Sequence, residues 1–145
     1  MCSSDLSNGE EIQSEYVVDR ADAAVALGHL ADLAPTLAPV LQVCEVRTVA
    51  ADDLWLSPAY HRESVCLHLT WRDEPDAVAG VLPALEQRLR PLRVRPHWGK
   101  VFGLGAQDLD LAYERYADFA ALAARLDPDG VFANDYLRRL GLVTT

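Results

Sequence analysis

The stretch SVCLHLTW, residues 64–71, decides the fold because its side chains alternate strictly between two chemistries. Residues two apart on a β-strand point to the same side of the sheet. Large apolar side chains therefore share one face, at positions 65, 67, 69 and 71. Cysteine, histidine and threonine share the other face, at positions 66, 68 and 70. This pattern predicts a strand of an antiparallel sheet with one open face and one apolar face. The apolar face, together with Val46 of the preceding predicted strand, is expected to pack under the helices.

The sequence on either side places this strand in an alternating order of strands and helices. Strands are predicted over residues 13–18, 41–50, 64–71 and 92–95. Helices are predicted over 21–33, ended by Pro35 and Pro39, and over 76–89, 107–126 and 134–140, the last capped by Gly141. This order predicts an α+β fold: a split βαβ (ferredoxin-like) antiparallel sheet with helices on one face, plus C-terminal helices.

Bulk composition narrows the class of protein. The chain has 145 residues, enough for one domain with a core, and half of them are hydrophobic. A formal net charge of −9 argues against nucleic acid or an anionic membrane as partner. No apolar run reaches the length of a membrane span, and no signal peptide is evident, so a cytoplasmic protein is expected. The three cysteines and four histidines show no metal-ligand spacing, so no metal site is expected.

Polar side chains on the two central strands form the first candidate site. Glu45 and Arg47 share one face of their strand, and His68 and Thr70 share one face of the next. If the strands pair as a hairpin centred on Ser57, Glu45 falls near Thr70 and Arg47 near His68. Carboxylate, guanidinium and hydroxyl groups together can bind a polyhydroxylated molecule. The alternative is an ordinary solvated sheet face, which the same pattern also describes.

The run RPHWGK, residues 95–100, is the second candidate, because it follows the fourth predicted strand. Lys100 can reach the same open face, where its positive charge would stabilise a developing alkoxide. His97 can donate a hydrogen bond to a cofactor, and Trp98 is expected to pack. Each of these side chains also has a purely structural interpretation at the end of a strand.

Four blocks of sequence, residues 45–58, 67–71, 95–100 and 127–137, occur in the order seen in alditol (xylitol) oxidases. The chain thus resembles the substrate-binding C-terminal domain of these vanillyl-alcohol-oxidase-like flavoproteins, which are close to the D-arabinono-1,4-lactone oxidases. The resemblance implies oxidation of a sugar alcohol such as xylitol or sorbitol by hydride transfer to FAD, with O2 reduced to H2O2. It implies substrate binding by Glu45, Arg47, Thr70 and Lys100, catalysis by Lys100 and Arg47, and flavin contacts from His97 and Asn134.

The resemblance also implies a division of the chain. Residues 1–9 are expected to be a disordered or artefactual N-terminus, and residues 10–145 the substrate-binding (cap) and C-terminal region of an FAD-linked oxidase. The glycine-rich pyrophosphate loop of such enzymes has no counterpart here, so FAD would be held mainly by an N-terminal domain missing from this chain. The chain alone is then expected not to turn over substrate. Two alternatives stay open: an aldonolactone oxidase domain, and a free-standing ferredoxin-like binding module.

Overall fold

The computed structural model describes residues 11–143, and the expectation for residues 1–9 lies outside this range. The strands are β1 (Glu11–Asp19), β2 (Leu41–Val49), β3 (Ser64–Arg72) and β4 (Arg95–Pro96). The helices are α1 (Ala23–Leu37), α2 (Pro75–Leu89), α3 (Ala106–Ala112), α4 (Tyr116–Leu126) and α5 (Asp135–Arg139), with short 3-10 turns at Arg20–Asp22 and Arg90–Leu92. The strands form one antiparallel sheet in the order β2-β3-β1-β4. The predicted α+β fold is confirmed.

The core forms where the apolar face of the central strands meets the first two helices. Alternate residues of β3 contribute Leu67, Leu69 and Trp71, all fully buried. On α2, Val78, Leu82, Leu85 and Leu89 recur every three or four residues and are buried in the same cluster. A period of two on a strand and of 3.6 on a helix each produce one continuous apolar surface, so the two surfaces pack against each other. No helix within residues 11–143 is long and apolar enough to span a bilayer.

Two predicted helix boundaries were wrong. Pro35 does not end α1, which continues to Leu37. A proline removes only its own N–H bond, and the helix persists because Ala38 N still bonds Ala34 O at 2.9 Å and Leu37 is buried in the core. The predicted helix over 107–126 is two helices, α3 and α4. The chain is extended at Tyr113, whose buried hydroxyl donates to Pro96 O at 3.2 Å, so tertiary packing overrides the helical periodicity.

The fourth strand is shorter and later than predicted. Residues Arg90–Leu92 form a 3-10 turn, and Arg93 then adopts the left-handed conformation with φ of 48°. Only Arg95 and Pro96 pair with β1. Proline lacks the N–H that would extend the ladder, so regular pairing ends there.

The pairing of β2 with β3 differs from the prediction by two residues. Glu45 lies opposite His68 and Arg47 opposite Cys66, while Thr70 faces Val43. The connection over 50–63 is not symmetric about Ser57: the Ser57 hydroxyl donates to Asp52, which itself bridges to Tyr60. The polar residues nevertheless share one face, since a shift of two preserves the side on which each lies.

One predicted core residue is on the surface. Val46, expected under the helices, is 49 % exposed. Strand β2 lies at the edge of the sheet, beyond the part that α1 and α2 cover.

Candidate functional site

A row of polar side chains crosses the open face of the sheet. Glu45 on β2 lies opposite His68 on β3, which lies opposite Glu15 on β1. Neighbouring strands are about 4.8 Å apart, so the row spans roughly 10 Å across three strands. We call Glu45, Arg47, His68, Thr70, Glu15 and Lys100 the polar row.

Lys100 reaches this row because the turn after β4 follows the edge of β1. His97 N donates to Glu15 O, and Val101 N donates to Gln13 O, each at 2.9 Å. Between these two anchors the turn carries Lys100 over the open face. Its Nζ lies 2.5 Å from Glu15 Oε2 and 2.8 Å from His68 Nδ1. The prediction that Lys100 can reach the open face is confirmed.

Glu15, His68 and Lys100 form a compact and largely buried cluster. Glu15 Oε2 is also 2.8 Å from His68 Nδ1. The side chains of His68, Glu15 and Lys100 are 4 %, 13 % and 18 % exposed, respectively. An ordinary solvated sheet face would leave such groups open to water. Their burial in mutual contact therefore favours a built site over the solvated alternative.

The charge of Glu15 follows from its contacts. Burial alone raises the pKa of this carboxyl, but hydrogen bonds from Lys100, His68 and Cys66, and the positive charge of Lys100, outweigh burial. The net result lowers the pKa of Glu15 to about 2. The cluster thus contains a carboxylate throughout the physiological range.

Sequence reasoning missed Glu15. A signal was available, because Glu15 follows Gln13 on the face opposite the buried Ser14 and Tyr16. The split βαβ order also places the first strand beside the third. Together these facts put Glu15 on the same face as His68.

Glu45 and Arg47 form the other end of the polar row. Arg47 Nη2 donates to Glu45 Oε2 at 2.7 Å, and this hydrogen bond raises the pKa of the Arg47 guanidinium. Both side chains are partly exposed, so a carboxylate and a guanidinium are presented side by side to an incoming molecule. Thr70 Oγ1 lies 3.4 Å from His68 Nε2 and connects this end to the buried cluster.

His97 and Asn134 lie outside the polar row: His97 begins the turn that carries Lys100, and Asn134 is the N-cap residue of α5. His97 is exposed, and its Nδ1 accepts from Gly99 N at 3.1 Å. Asn134 Oδ1 caps α5 by accepting from Leu137 N at 2.9 Å. Tyr136 OH donates to Trp98 O at 2.6 Å and thereby fastens α5 to the turn.

An open recess of about 710 Å³ adjoins this turn. Its lining includes Lys100, Trp98, Gly99 and Tyr136, together with residues Glu11, Ile12, Gln13 and Val101. Lys100 therefore belongs both to the polar row and to the lining of the recess, whereas neither His97 nor Asn134 is among the lining residues. Among residues 11–143, no three His, Cys, Asp or Glu side chains are grouped to hold a metal ion.

Comparisons with known proteins show what the chain is similar to. Residues 9–140 match the family described as D-arabinono-1,4-lactone oxidase. An alditol oxidase from Streptomyces sp. is 51 % identical over 134 residues, which is 92 % of this chain and 32 % of that protein. An L-gulono-1,4-lactone dehydrogenase from Mycobacterium tuberculosis is 36 % identical over 88 % of this chain and 30 % of its own length. An L-gulonolactone oxidase from Scyliorhinus torazame is 35 % identical over 66 % of this chain and 22 % of its own length.

The chain thus spans about a third or less of each of these relatives. The match of the family covers nearly all of the described fold, including every residue of the polar row. The chain belongs to the D-arabinono-1,4-lactone oxidase family.

Proposed function

We propose that this chain is the substrate side of an FAD-dependent oxidase that converts a sugar alcohol, such as xylitol or sorbitol, to a carbonyl compound with release of H2O2. The observation that carries the proposal is the polar row, in which Lys100 is held 2.5 Å from Glu15 at the edge of an open recess. The 51 % identity to an alditol oxidase supports a sugar alcohol as substrate.

Each end of the polar row has a different task. At the open end, Glu45 accepts hydrogen bonds from substrate hydroxyls and Arg47 donates to them, while Thr70 can do both. A polyol has a hydroxyl on every carbon, so alternating acceptors and donors along the row hold it in a fixed register. At the buried end, the Lys100 ammonium lies by the reacting hydroxyl. Its charge, together with that of Arg47, stabilises the negative charge that develops on the hydroxyl oxygen.

The residues beside the recess fit a flavin ring. The flat side chains of Trp98 and Tyr136 line it, and Lys100 supplies a hydrogen-bond donor at its margin. We assign the flavin contacts of this chain to His97, which begins the turn, and to Asn134, which caps the helix whose Tyr136 lines the recess, although neither residue is itself in the lining. When bound, the flavin accepts hydride from the carbinol carbon and passes the electrons to oxygen.

The remainder of FAD would be held by a flavin-binding domain outside these 145 residues. An exposed apolar loop supports such a partner. Val131 and Phe132 are 75 % and 80 % exposed. Both backbone N–H groups donate to the Asp127 carboxylate at 2.8 Å, so the loop holds the two side chains in fixed positions on the surface. Large apolar side chains held in this way are typical of a docking surface.

A chimeric enzyme tests the proposal. Residues 9–140 of this chain would replace the matching segment of the Streptomyces alditol oxidase, and flavin reduction by xylitol would be followed by absorbance under anaerobic conditions. The proposal expects reduction of the flavin, and H2O2 release on admission of air. In Lys100→Met, flavin reduction should slow by about 100-fold or more. A folded, flavin-loaded chimera that no polyol reduces would contradict the proposal, and one that no lactone reduces either would favour the free-standing binding module.

The second candidate is an aldonolactone oxidase, which the family description and the lactone-oxidising relatives favour. The same chimera separates the two when it is offered L-gulono-1,4-lactone beside xylitol. A higher kcat/KM for the lactone than for xylitol would identify a lactone, not a sugar alcohol, as the substrate. Glu45→Gln and Arg47→Met should then raise KM for whichever substrate is preferred.

A further inference from the structure

At the buried end of the polar row, Lys100, His68 and the start of the following turn all contact Glu15. Its Oε2 contacts both Lys100 Nζ and His68 Nδ1, and its backbone oxygen accepts from His97 N at the start of the turn that carries Lys100. One residue of β1 therefore contacts both side chains and the start of the turn that carries Lys100. Neither the four sequence blocks nor the pattern of β2 and β3 includes this residue.

The three short distances in the cluster cannot all be hydrogen bonds at once. Nδ1 of a neutral imidazole carries either a proton or a lone pair. With a proton, His68 Nδ1 donates to Glu15; with a lone pair, it accepts from Lys100. Both bonds include an ionised group. The Nδ1–H form gives the buried Glu15 carboxylate a second donor, whereas a lone pair on Nδ1 would face Glu15 Oε2 at 2.8 Å with no proton between them. Lys100 keeps its bond to Glu15 and its other N–H donors in either form. Glu15 therefore favours the Nδ1–H form, which leaves a lone pair on Nε2, the nitrogen that faces Thr70.

We propose that Glu15 is a positioning residue of the site: it holds Lys100 over the sheet and keeps His68 in the tautomer whose Nε2 accepts a hydrogen bond. The catalytic consequence rests on the function proposed above, whereas the tautomer of His68 does not. The charged or titratable groups around Glu15 are Lys100 from the turn, His68 and Cys66 from β3, and Arg47 from β2.

The tautomer is measurable on the full chain by long-range ¹H–¹⁵N NMR of the histidine rings. Loss of one set of signals in His68→Gln assigns His68 among the four histidines. We expect the Nδ1–H pattern in the parent and the Nε2–H pattern in Glu15→Gln, because Nδ1 then accepts from Lys100. Glu63→Gln is the matched control, since the exposed Glu63 side chain pairs with Arg20 and belongs to neither the polar row nor the turn, and it should leave the pattern unchanged. An Nε2–H pattern in the parent, or no change in Glu15→Gln, would overturn the proposal.

The chimeric oxidase measures the catalytic consequence. Glu15→Gln should lower kcat about 100-fold, because a misplaced ammonium no longer meets the reacting hydroxyl. KM for xylitol should stay within about threefold, since Glu45, Arg47 and Thr70 still bind substrate. Glu15→Asp, which keeps the charge on a shorter side chain, should recover part of kcat. A merely structural role would instead lower the amount of folded enzyme and leave kcat per bound flavin intact.

The NMR measurement and the kinetic measurement test different claims, so one can contradict its claim without affecting the other. An inactive parent chimera counts against the proposed function and leaves the NMR result to decide the role of Glu15. An active parent chimera with kcat of Glu15→Gln within about twofold of the parent removes Glu15 from catalysis.

Discussion

At the scale of single residues, two glutamate oxygens, one on each face of the sheet, each accept two hydrogen bonds. Glu15 Oε2 accepts from Lys100 and His68 on the open face of the sheet. Glu86 Oε1 accepts from Tyr16 OH at 2.8 Å and from Gly103 N at 2.7 Å on the helical face. A buried acceptor that keeps both donors is stable, whereas loss of one donor leaves an unsatisfied group. Both glutamates should therefore be sensitive to small changes.

Acid should remove the contribution of Glu15 to stability. Its pKa is lowered from 4.5 to about 2 in the folded protein, so the unfolded state binds a proton first as pH falls. The stabilisation is complete above pH 4.5 and is lost as pH falls through about 2. The difference in unfolding free energy between the parent and Glu15→Gln should shrink over this range. Urea unfolding of both proteins at several pH values measures it, and a constant difference would contradict the assignment.

Gly103→Ala should destabilise the fold. A Cβ at this position would lie 2.9 Å from Glu86 Oε2, and the Glu86 side chain is too buried to move aside easily. We expect a loss of about 1–3 kcal/mol in unfolding free energy, as for other overpacked sites. Gly80→Ala on α2 is the control, because its Cβ would meet nothing within 4 Å. That change should stabilise the helix by about 0.5–1 kcal/mol. Equal effects at the two positions would show that the contact with Glu86 is unimportant.

At the scale of elements, the site is assembled where a strand, a turn and a helix meet. The turn over 97–100 is held by β1 on one side and by the Tyr136 hydroxyl of α5 on the other. Trp98 Nε1 also donates to Leu56 O at 2.7 Å, which ties the turn to the connection between β2 and β3. The position of Lys100 thus depends on elements that are distant in sequence.

Tyr136→Phe should weaken the turn without unfolding the protein. The ring still packs against Phe102, but Trp98 O loses its donor. We expect faster backbone amide exchange at Gly99 and Lys100, with a fall in unfolding free energy of about 1 kcal/mol. Tyr116→Phe is the comparison, since its hydroxyl donates to Leu140 O, away from the turn. Faster exchange at Lys100 in both variants would indicate general loosening rather than a local effect.

At the scale of the whole molecule, the described chain pairs a well-packed core with an apolar surface loop. In sequence, Lys100 of the charged cluster comes before α3 and α4, and the apolar loop comes after them. Helix α5 follows the loop, and its Tyr136 hydroxyl donates to Trp98 O in the turn that carries Lys100.

Replacing Val131 and Phe132 by serine should separate stability from docking. Because both side chains are mostly exposed, unfolding free energy of the isolated chain should change by less than about 0.5 kcal/mol. In the chimeric oxidase, the same change should lower the ratio of flavin to protein after gel filtration. Leu111→Ser on α3, equally exposed, is the control. A similar loss of flavin from the control would mean that general surface polarity, not this loop, is responsible.

How far the sequence predicts the site depends on the range of the interactions. Strict alternation in β3 was enough to assign which residues share a face, because side-chain direction on a strand is a local property. It could not assign the partners across strands, since the pairing of Glu45 with His68 depends on the irregular connection over 50–63. Arg95 shows the same limit. It is buried and donates to Ala112 O at 2.8 Å and Tyr60 O at 2.9 Å, two partners that no local pattern connects.

The sequence by itself determined the order of strands and helices, the two faces of the sheet and the family of the chain. These depend on periodicity and on short motifs, which neighbouring residues carry along the chain. Only the tertiary structure decided that α3 and α4 are separate, that Val46 is on the surface, and that Glu15 joins Lys100 and His68. These features require contacts between segments as far apart as residues 15 and 100, and the free energy of such contacts exists only once the chain has folded.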